Sequence, residues 1–71
     1  MSRPVKRSLT LRGHRTSVSL EDEFWQAFRE IAEAEGLALN ELAAVIDKAR
    51  GVETGLATAI RLYVLRHYRG R

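Results

Sequence analysis

Two short stretches near the start of the chain alternate between polar and apolar side chains. Residues 8–12 alternate up to Gly13, and residues 15–20 alternate again with threonine, valine and serine prominent. A period of two with these residue types is typical of β-strands. The pattern therefore predicts strand over about residues 8–20, and it leaves open whether Gly13-His14 forms a bulge or a turn.

The second alternating stretch is expected to have one apolar and one polar face, because successive side chains of a strand point to opposite sides. The more apolar set consists of Thr16, Val18 and Leu20. The polar set consists of Arg15, Ser17 and Ser19. One face of the strand can therefore pack on a core while the other presents a cation and two hydroxyl groups.

After residue 20 the apolar residues recur at the three- and four-residue spacing of helices. The spacing predicts helices over about residues 21–35, 40–50 and 56–69. Acidic residues open the first helix, Gly36 follows its end as a left-handed residue would, and Asn40 is a plausible N-cap of the second. The fold class expected is mainly α with a short N-terminal β ribbon and an additional third helix.

The domain is expected to span residues 8–71, after a flexible basic arm at residues 1–7. A chain of 71 residues without cysteine has a small core and no disulfides to support it. The predicted third helix is also apolar on more than one face, so part of its cover is expected to come from a second chain. We therefore expect an intertwined homodimer, and leave open whether dimers assemble further.

Charge is unevenly distributed along the chain. Residues 1–20 contain five basic residues and no acid, and residues 21–60 contain all nine acidic residues. Basic surface without nearby acid favours binding to phosphate groups. The basic residues near the start that we predict to contact phosphates are Lys6, Arg7 and Arg12.

No enzymatic site is predicted. The chain has no cysteine, its two histidines are too few for a structural metal cluster, and it has no glycine-rich phosphate loop. We expect no cofactor and no metal. No targeting segment and no apolar run long enough to cross a membrane is visible, so we predict a cytoplasmic protein without a membrane partner.

The polar strand face suggests binding to DNA. A two-stranded antiparallel ribbon fits the major groove of double-stranded DNA. A lone strand in each chain is not stable, so we expect the ribbon to form from strands of two chains.

Three segments resemble the ribbon-helix-helix DNA-binding family, in particular short bacterial members with an added C-terminal helix. They are Arg-Thr-Ser-Val-Ser-Leu-Glu-Asp-Glu-Phe-Trp at 15–25, Gly-Leu-Ala-Leu-Asn-Glu-Leu at 36–42 and Ile-Asp-Lys-Ala-Arg-Gly at 46–51. The resemblance covers about residues 7–69. It implies a homodimer whose ribbon contacts DNA bases and whose function is transcription regulation.

The resemblance also implies roles for individual residues. The base-contacting residues would be Arg15, Ser17 and Ser19. The backbone N–H groups at the start of the second helix would bind a phosphate, and they belong to Leu39, Asn40 and Glu41. Ala38 departs from the serine or threonine that is common there, and the carboxylate of Glu41 opposes phosphate binding.

Two alternative functions use the third helix. One is a protein-interaction module of the antitoxin type, and the other is a regulator with a pocket for a small-molecule effector. The sequence specifies neither the operator nor the regulated genes, and it does not assign a role to the third helix.

Overall fold

The computed structural model describes residues 2–70, which form a two-stranded antiparallel ribbon followed by three helices. The elements are β1 (Val5–Leu11), β2 (His14–Leu20), α1 (Asp22–Ala34), α2 (Leu39–Ala49) and α3 (Leu56–Arg69). The expected fold class, mainly helical with an N-terminal ribbon and an added third helix, is confirmed. The expected ranges also included Met1 and Arg71, which lie outside the described residues.

A tight turn at Arg12 and Gly13 joins the two strands. Both residues have positive φ, 50° and 83°, as the central residues of a type I′ turn require. The pairing runs from Leu11 opposite His14 to Val5 opposite Leu20. Of the two possibilities that the sequence left open, a bulge or a turn, the structure therefore has a turn. His14 is the first residue of β2.

This hairpin corrects two expectations. The strand begins at Val5, so residues 5–7 are not part of a flexible arm, and the range 8–20 is two strands rather than one. The ribbon also forms within one chain, whereas we expected strands from two chains. The physical reason is the two-residue turn, which brings the strands together at a small entropic cost. A single chain does not show a dimer, which stays a prediction.

The core lies between the inner face of the ribbon and the three helices, and every element contributes to it. Its buried residues are Leu9, Val18, Leu20, Phe28, Ile31, Ala32, Leu42, Ala43, Ile46, Ile60 and Val64. No polar or charged residue among those described is buried. The predicted inward direction of Val18 and Leu20 is confirmed, whereas Thr16 on the same face is exposed near the turn.

The end of α1 follows the sequence prediction closely. Gly36 has a φ of 71°, in the left-handed region that favours glycine. Its N–H donates to the carbonyl of Glu33 at 3.1 Å, and the N–H of Leu37 donates to that of Ala32 at 2.9 Å. These two hydrogen bonds form a Schellman motif, which ends the helix and turns the chain toward α2.

Helix α3 is covered on one side only. Ile60 and Val64 are buried against the rest of the chain, but Leu62 and Leu65 are 36% and 48% exposed. The prediction that one chain cannot cover all the apolar residues of this helix therefore agrees with the structure. Within residues 2–70 no helix is both long and apolar enough to cross a membrane.

Candidate nucleic-acid interface

The outer face of the ribbon is entirely polar. Three cross-strand pairs form it, Lys6 with Ser19, Ser8 with Ser17 and Thr10 with Arg15. All six residues are exposed, and none is acidic. Counting outward from the turn, these are the pairs without mutual hydrogen bonds, in which side chains on opposite strands lie closest together. The ribbon thus presents a continuous surface of two cations and four hydroxyl groups.

The three residues predicted to contact bases lie together on this face. Arg15, Ser17 and Ser19 occupy alternate positions of β2, as the period of two requires. An arginine guanidinium can donate two hydrogen bonds to the O6 and N7 atoms of guanine, and a hydroxyl group can donate or accept. Sequence reasoning missed Ser8 and Thr10, because β1 was not recognised as a separate strand opposite β2.

Arg7 lies on the inner face of the ribbon, which argues against its predicted contact with phosphate. Its Nη2 atom is 3.4 Å from Oδ1 of Asp22, and its guanidinium lies 5.4 Å from the centre of the Trp25 ring system. Its Nε atom is buried and has no hydrogen-bond partner among the described residues. The alternation of β1 explains this position, because Arg7 shares a face with the buried Leu9.

The other two predicted phosphate-binding side chains are placed differently. Lys6 is exposed on the outer face, beside Ser19. Arg12 lies at the tip of the ribbon, where its Nη2 atom is 3.5 Å from the carbonyl oxygen of Ala44 in α2. Lys6 therefore lies at the end of the polar face farthest from the turn, and Arg12 lies in the turn itself.

Helix α2 begins beside the free edge of β1. The Oδ1 atom of Asn40 accepts a hydrogen bond from the backbone N–H of Thr10 at 3.0 Å. This N–H is available because Thr10 does not use it in pairing with β2. Helix α2 therefore starts next to the ribbon. Its first backbone N–H groups are those of Leu39, Asn40 and Glu41.

The cap of α2 differs from the prediction. The N-cap residue is Ala38, whereas Asn40 lies within the helix and bonds to the ribbon instead. The Oε1 atom of Glu41 accepts a hydrogen bond from the N–H of Ala38 at 2.9 Å. Because alanine has no side-chain acceptor, this carboxylate is the side chain that caps the helix start. Its negative charge also lies close to the proposed phosphate site.

Arg61 of α3 fixes the opposite edge of the ribbon. Its Nη2 atom donates to the carbonyl oxygen of Ser19 at 3.0 Å, and its Nε atom donates to Oε1 of Glu21, also at 3.0 Å. The guanidinium lies 5.9 Å from the centre of the Phe24 ring. Sequence reasoning missed Arg61, because its partners lie about forty residues away and no local pattern indicates them. Helices α2 and α3 thus hold the two edges of the ribbon.

Replacing Asn40 with alanine is expected to destabilise the fold by about 0.5–1 kcal/mol, the net contribution of one exposed neutral hydrogen bond. The effect should be confined to the edge of β1. Hydrogen exchange measured by NMR should show faster exchange of the Thr10 amide and little change in α3. Unchanged exchange at Thr10 would mean that the hydrogen bond does not persist in solution.

We expect the Glu21 carboxylate to make the stability of the fold depend on pH. Hydrogen bonding to its own backbone N–H, and then to Arg61, lowers the pKa of Glu21 from its ordinary value of 4.5. A carboxyl group whose pKa is lower in the folded state stabilises the fold above its ordinary pKa, and this contribution is lost as pH falls through the lower value.

Glu21→Gln is therefore expected to flatten the decline in the urea midpoint as the pH falls below 4.5, the ordinary pKa of this carboxyl group, relative to the wild type. In an Arg61→Ala background the difference should shrink but persist, because the backbone N–H is the larger cause. Parallel curves for wild type and Glu21→Gln across this range would contradict the assignment.

Comparison with known proteins places the chain in a family. The model of the family described as ribbon-helix-helix domain matches residues 4–68, which include both strands and nearly all of α3. Comparison with the curated proteins and with the solved structures gave no significant match. Ribbon-helix-helix proteins are regulatory DNA-binding proteins rather than enzymes, and they bind DNA as dimers. With its polar ribbon followed by helices, this chain belongs to the ribbon-helix-helix domain family of DNA-binding regulators.

Proposed function

We propose that this protein binds double-stranded DNA sequence-specifically, with the outer face of its ribbon in the major groove, and acts as a bacterial transcriptional regulator, most simply a repressor in the cytoplasm. The observation that carries the proposal is the exposed outer face, which has two cations, four hydroxyl groups and no acid. A two-stranded ribbon matches the width of the groove, and the side chains of β2 supply base contacts from Arg15, Ser17 and Ser19.

Phosphate contacts at the margins of the ribbon would fix its orientation on the duplex. Lys6 and Arg12 are exposed at these margins, and the backbone N–H groups of Leu39, Asn40 and Glu41 start beside β1. We leave Arg7 out of the phosphate set, since its guanidinium lies against Asp22 and Trp25. The carboxylate of Glu41 would have to turn away from the helix start when a phosphate binds there.

The dimer is proposed to form through a groove between α2 and α3. The groove has a volume of about 330 Å³, and its apolar lining includes Val45, Ala49, Ala59, Leu62 and Tyr63. We assign a second copy of this chain to it. Members of the family bind DNA as dimers, and the exposed apolar residues of α3 would be buried in a dimer. The two strands of the ribbon pair within one chain, so the dimer contact has to lie elsewhere. Such a dimer would carry two ribbons and suit a pseudo-palindromic site.

Placing a charge among the apolar residues of this groove is expected to weaken the dimer by about tenfold or more, because the interface would remove a carboxylate from water. Val45→Glu makes this change at a residue that is 57% exposed in the single chain. Val52→Glu is the matched control, since Val52 is 99% exposed in the loop before α3. Sedimentation equilibrium measures the dimer, and circular dichroism checks the fold. Equal dimer affinities of the two folded variants would show that the second copy binds elsewhere.

The DNA-binding proposal is tested with random duplex DNA. Fluorescence anisotropy over a series of salt concentrations measures the affinity and its salt dependence. We expect log affinity to fall linearly with log salt, with a slope of about 0.9 per phosphate neutralised. Absence of binding even at low salt would contradict the proposal. It would favour the alternative functions, in which α3 binds another protein or a small molecule.

A further inference from the structure

We infer that β1 contributes to sequence specificity through Ser8 and Thr10, so that each protomer has a complete two-stranded base-contacting surface. The inference rests on the proposed function and extends it to a second strand. It comes from the pairing within the ribbon, which places two rows of exposed side chains on the face that would enter the groove.

The pairing places the side chains of β1 directly opposite those of β2 on the same face. Thr10 is paired with Arg15, and Ser8 with Ser17, on the same outer face. Facing pairs without mutual hydrogen bonds have Cα atoms about 4.5 Å apart. A groove about 12 Å wide accommodates both strands of a ribbon, so bases contacted by one row lie within reach of the other.

The chemistry of the two residues suits base contact. A serine or threonine hydroxyl can donate to or accept from the edge of a base, and the threonine methyl group can pack against the methyl group of thymine. Both residues are exposed, and within residues 2–70 neither hydroxyl group is hydrogen-bonded to another side chain. Thr10 uses only its backbone N–H to bind Asn40. Both hydroxyl groups are therefore available to a base.

The edges of the ribbon support the same conclusion. Asn40 bonds to the edge of β1, and Arg61 bonds to the edge of β2. These contacts fix the backbones of both strands relative to the helices. Because the backbone of β1 is ordered before DNA binds, less conformational freedom is lost when its side chains contact a base.

The consequence for the operator is specific. If each protomer has its own two-row ribbon, a dimer contacts two separate half-sites. A ribbon built from one strand of each chain would instead contact one continuous site centred on the two-fold axis. Selection of binding sites from a random pool should therefore return two half-sites, each with positions that depend on Ser8 and Thr10.

The test compares the full-length wild type with Ser8→Ala/Thr10→Ala. Thr16→Ala is the matched control, since Thr16 is exposed on the same ribbon but belongs to the opposite face. We expect the double variant to bind the selected site about two- to tenfold more weakly for each hydroxyl group removed, and to select a different base at those positions. Its affinity for random duplex DNA should stay within about twofold of the wild-type value, since no charge is removed.

Two results would overturn the inference, and they are distinguishable. If Ser8→Ala/Thr10→Ala selects the wild-type site with unchanged affinity, while Arg15→Ala changes the selection, then β1 has no part in specificity and the proposed function stands. If the wild type selects no sequence and does not bind random duplex DNA, the proposed function fails and the inference fails with it.

Discussion

Replacing Phe28 with alanine is expected to reduce the free energy of unfolding by about 3–5 kcal/mol. Phe28 is fully buried at the centre of α1, and its ring lies 6.1 Å from that of Trp25. Truncation would remove a large apolar side chain and leave a cavity between the ribbon and the helices. A domain of this size has a total stability of roughly 4–10 kcal/mol, so much of it would disappear.

Urea denaturation followed by far-ultraviolet circular dichroism measures this change. Protein concentration must be held fixed, because dimerisation adds to the apparent stability. Val52→Ala is the control, since Val52 is 99% exposed and its truncation should change stability by no more than about 0.5 kcal/mol. A Phe28→Ala variant whose stability stays close to that of the Val52→Ala control would mean that the core is not built around this ring.

Replacing Arg15 with alanine is expected to weaken binding to the selected operator by about 1–3 kcal/mol, or roughly 5- to 150-fold. The reason is the removal of two parallel hydrogen bonds to a base edge. Arg15→Lys keeps the charge but not the planar fork, so its affinity should be intermediate and its base preference relaxed. Binding to random duplex DNA should weaken much less than binding to the operator.

Arg69→Ala supplies the control for Arg15→Ala, because it removes the same charge from an exposed position at the end of α3. The affinities of both variants are measured by fluorescence anisotropy on the same operator. If Arg15→Ala and Arg69→Ala bind it equally well, Arg15 acts through its charge alone and does not contact a base.

Local patterns were sufficient to predict the helices. The spacing of apolar residues gave the bounds of α3 at residues 56–69, and it gave those of α1 and α2 to within a residue. Gly36 could be predicted as the end of α1 because a left-handed residue after a helix strongly favours glycine. The polar face of β2 could be predicted because a strand has a strict period of two.

The hairpin could not be predicted in the same way. Arg12 is an unusual residue for a left-handed turn position, where asparagine or glycine is common, so the turn signal was weak. The polar and apolar alternation of β1 was also hard to recognise, because Arg7 puts a charged residue at a position where the pattern requires an apolar one. Asp22 and Trp25 accommodate that charge, and this contact depends on the tertiary fold.

The contacts that hold the edges of the ribbon also lay beyond local patterns. Asn40 looked like a helix cap, and only the proximity of β1 explains why its side chain bonds to Thr10. Arg61 looked like one cation among several on α3, and its contact with Ser19 depends on how that helix crosses the ribbon. Sequence spacing predicts which residues share a face of one element, but not which elements meet.

The central claim is that DNA binds to the outer face of the ribbon. It is tested most directly by removing two positive charges from that face and, separately, two from exposed helix positions outside the ribbon and the groove. The variants are Lys6→Ala/Arg15→Ala and Arg29→Ala/Arg69→Ala, all at exposed positions. Their affinities for random duplex DNA are measured by fluorescence anisotropy across a salt series.

We expect the ribbon variant to bind more weakly and to show a smaller salt slope, by roughly one unit for each phosphate that is no longer neutralised. The helix variant, with the same net charge, should stay close to the wild type. An equal weakening in the two variants, or a greater weakening in the helix variant, would contradict the claim that the ribbon is the DNA-binding surface.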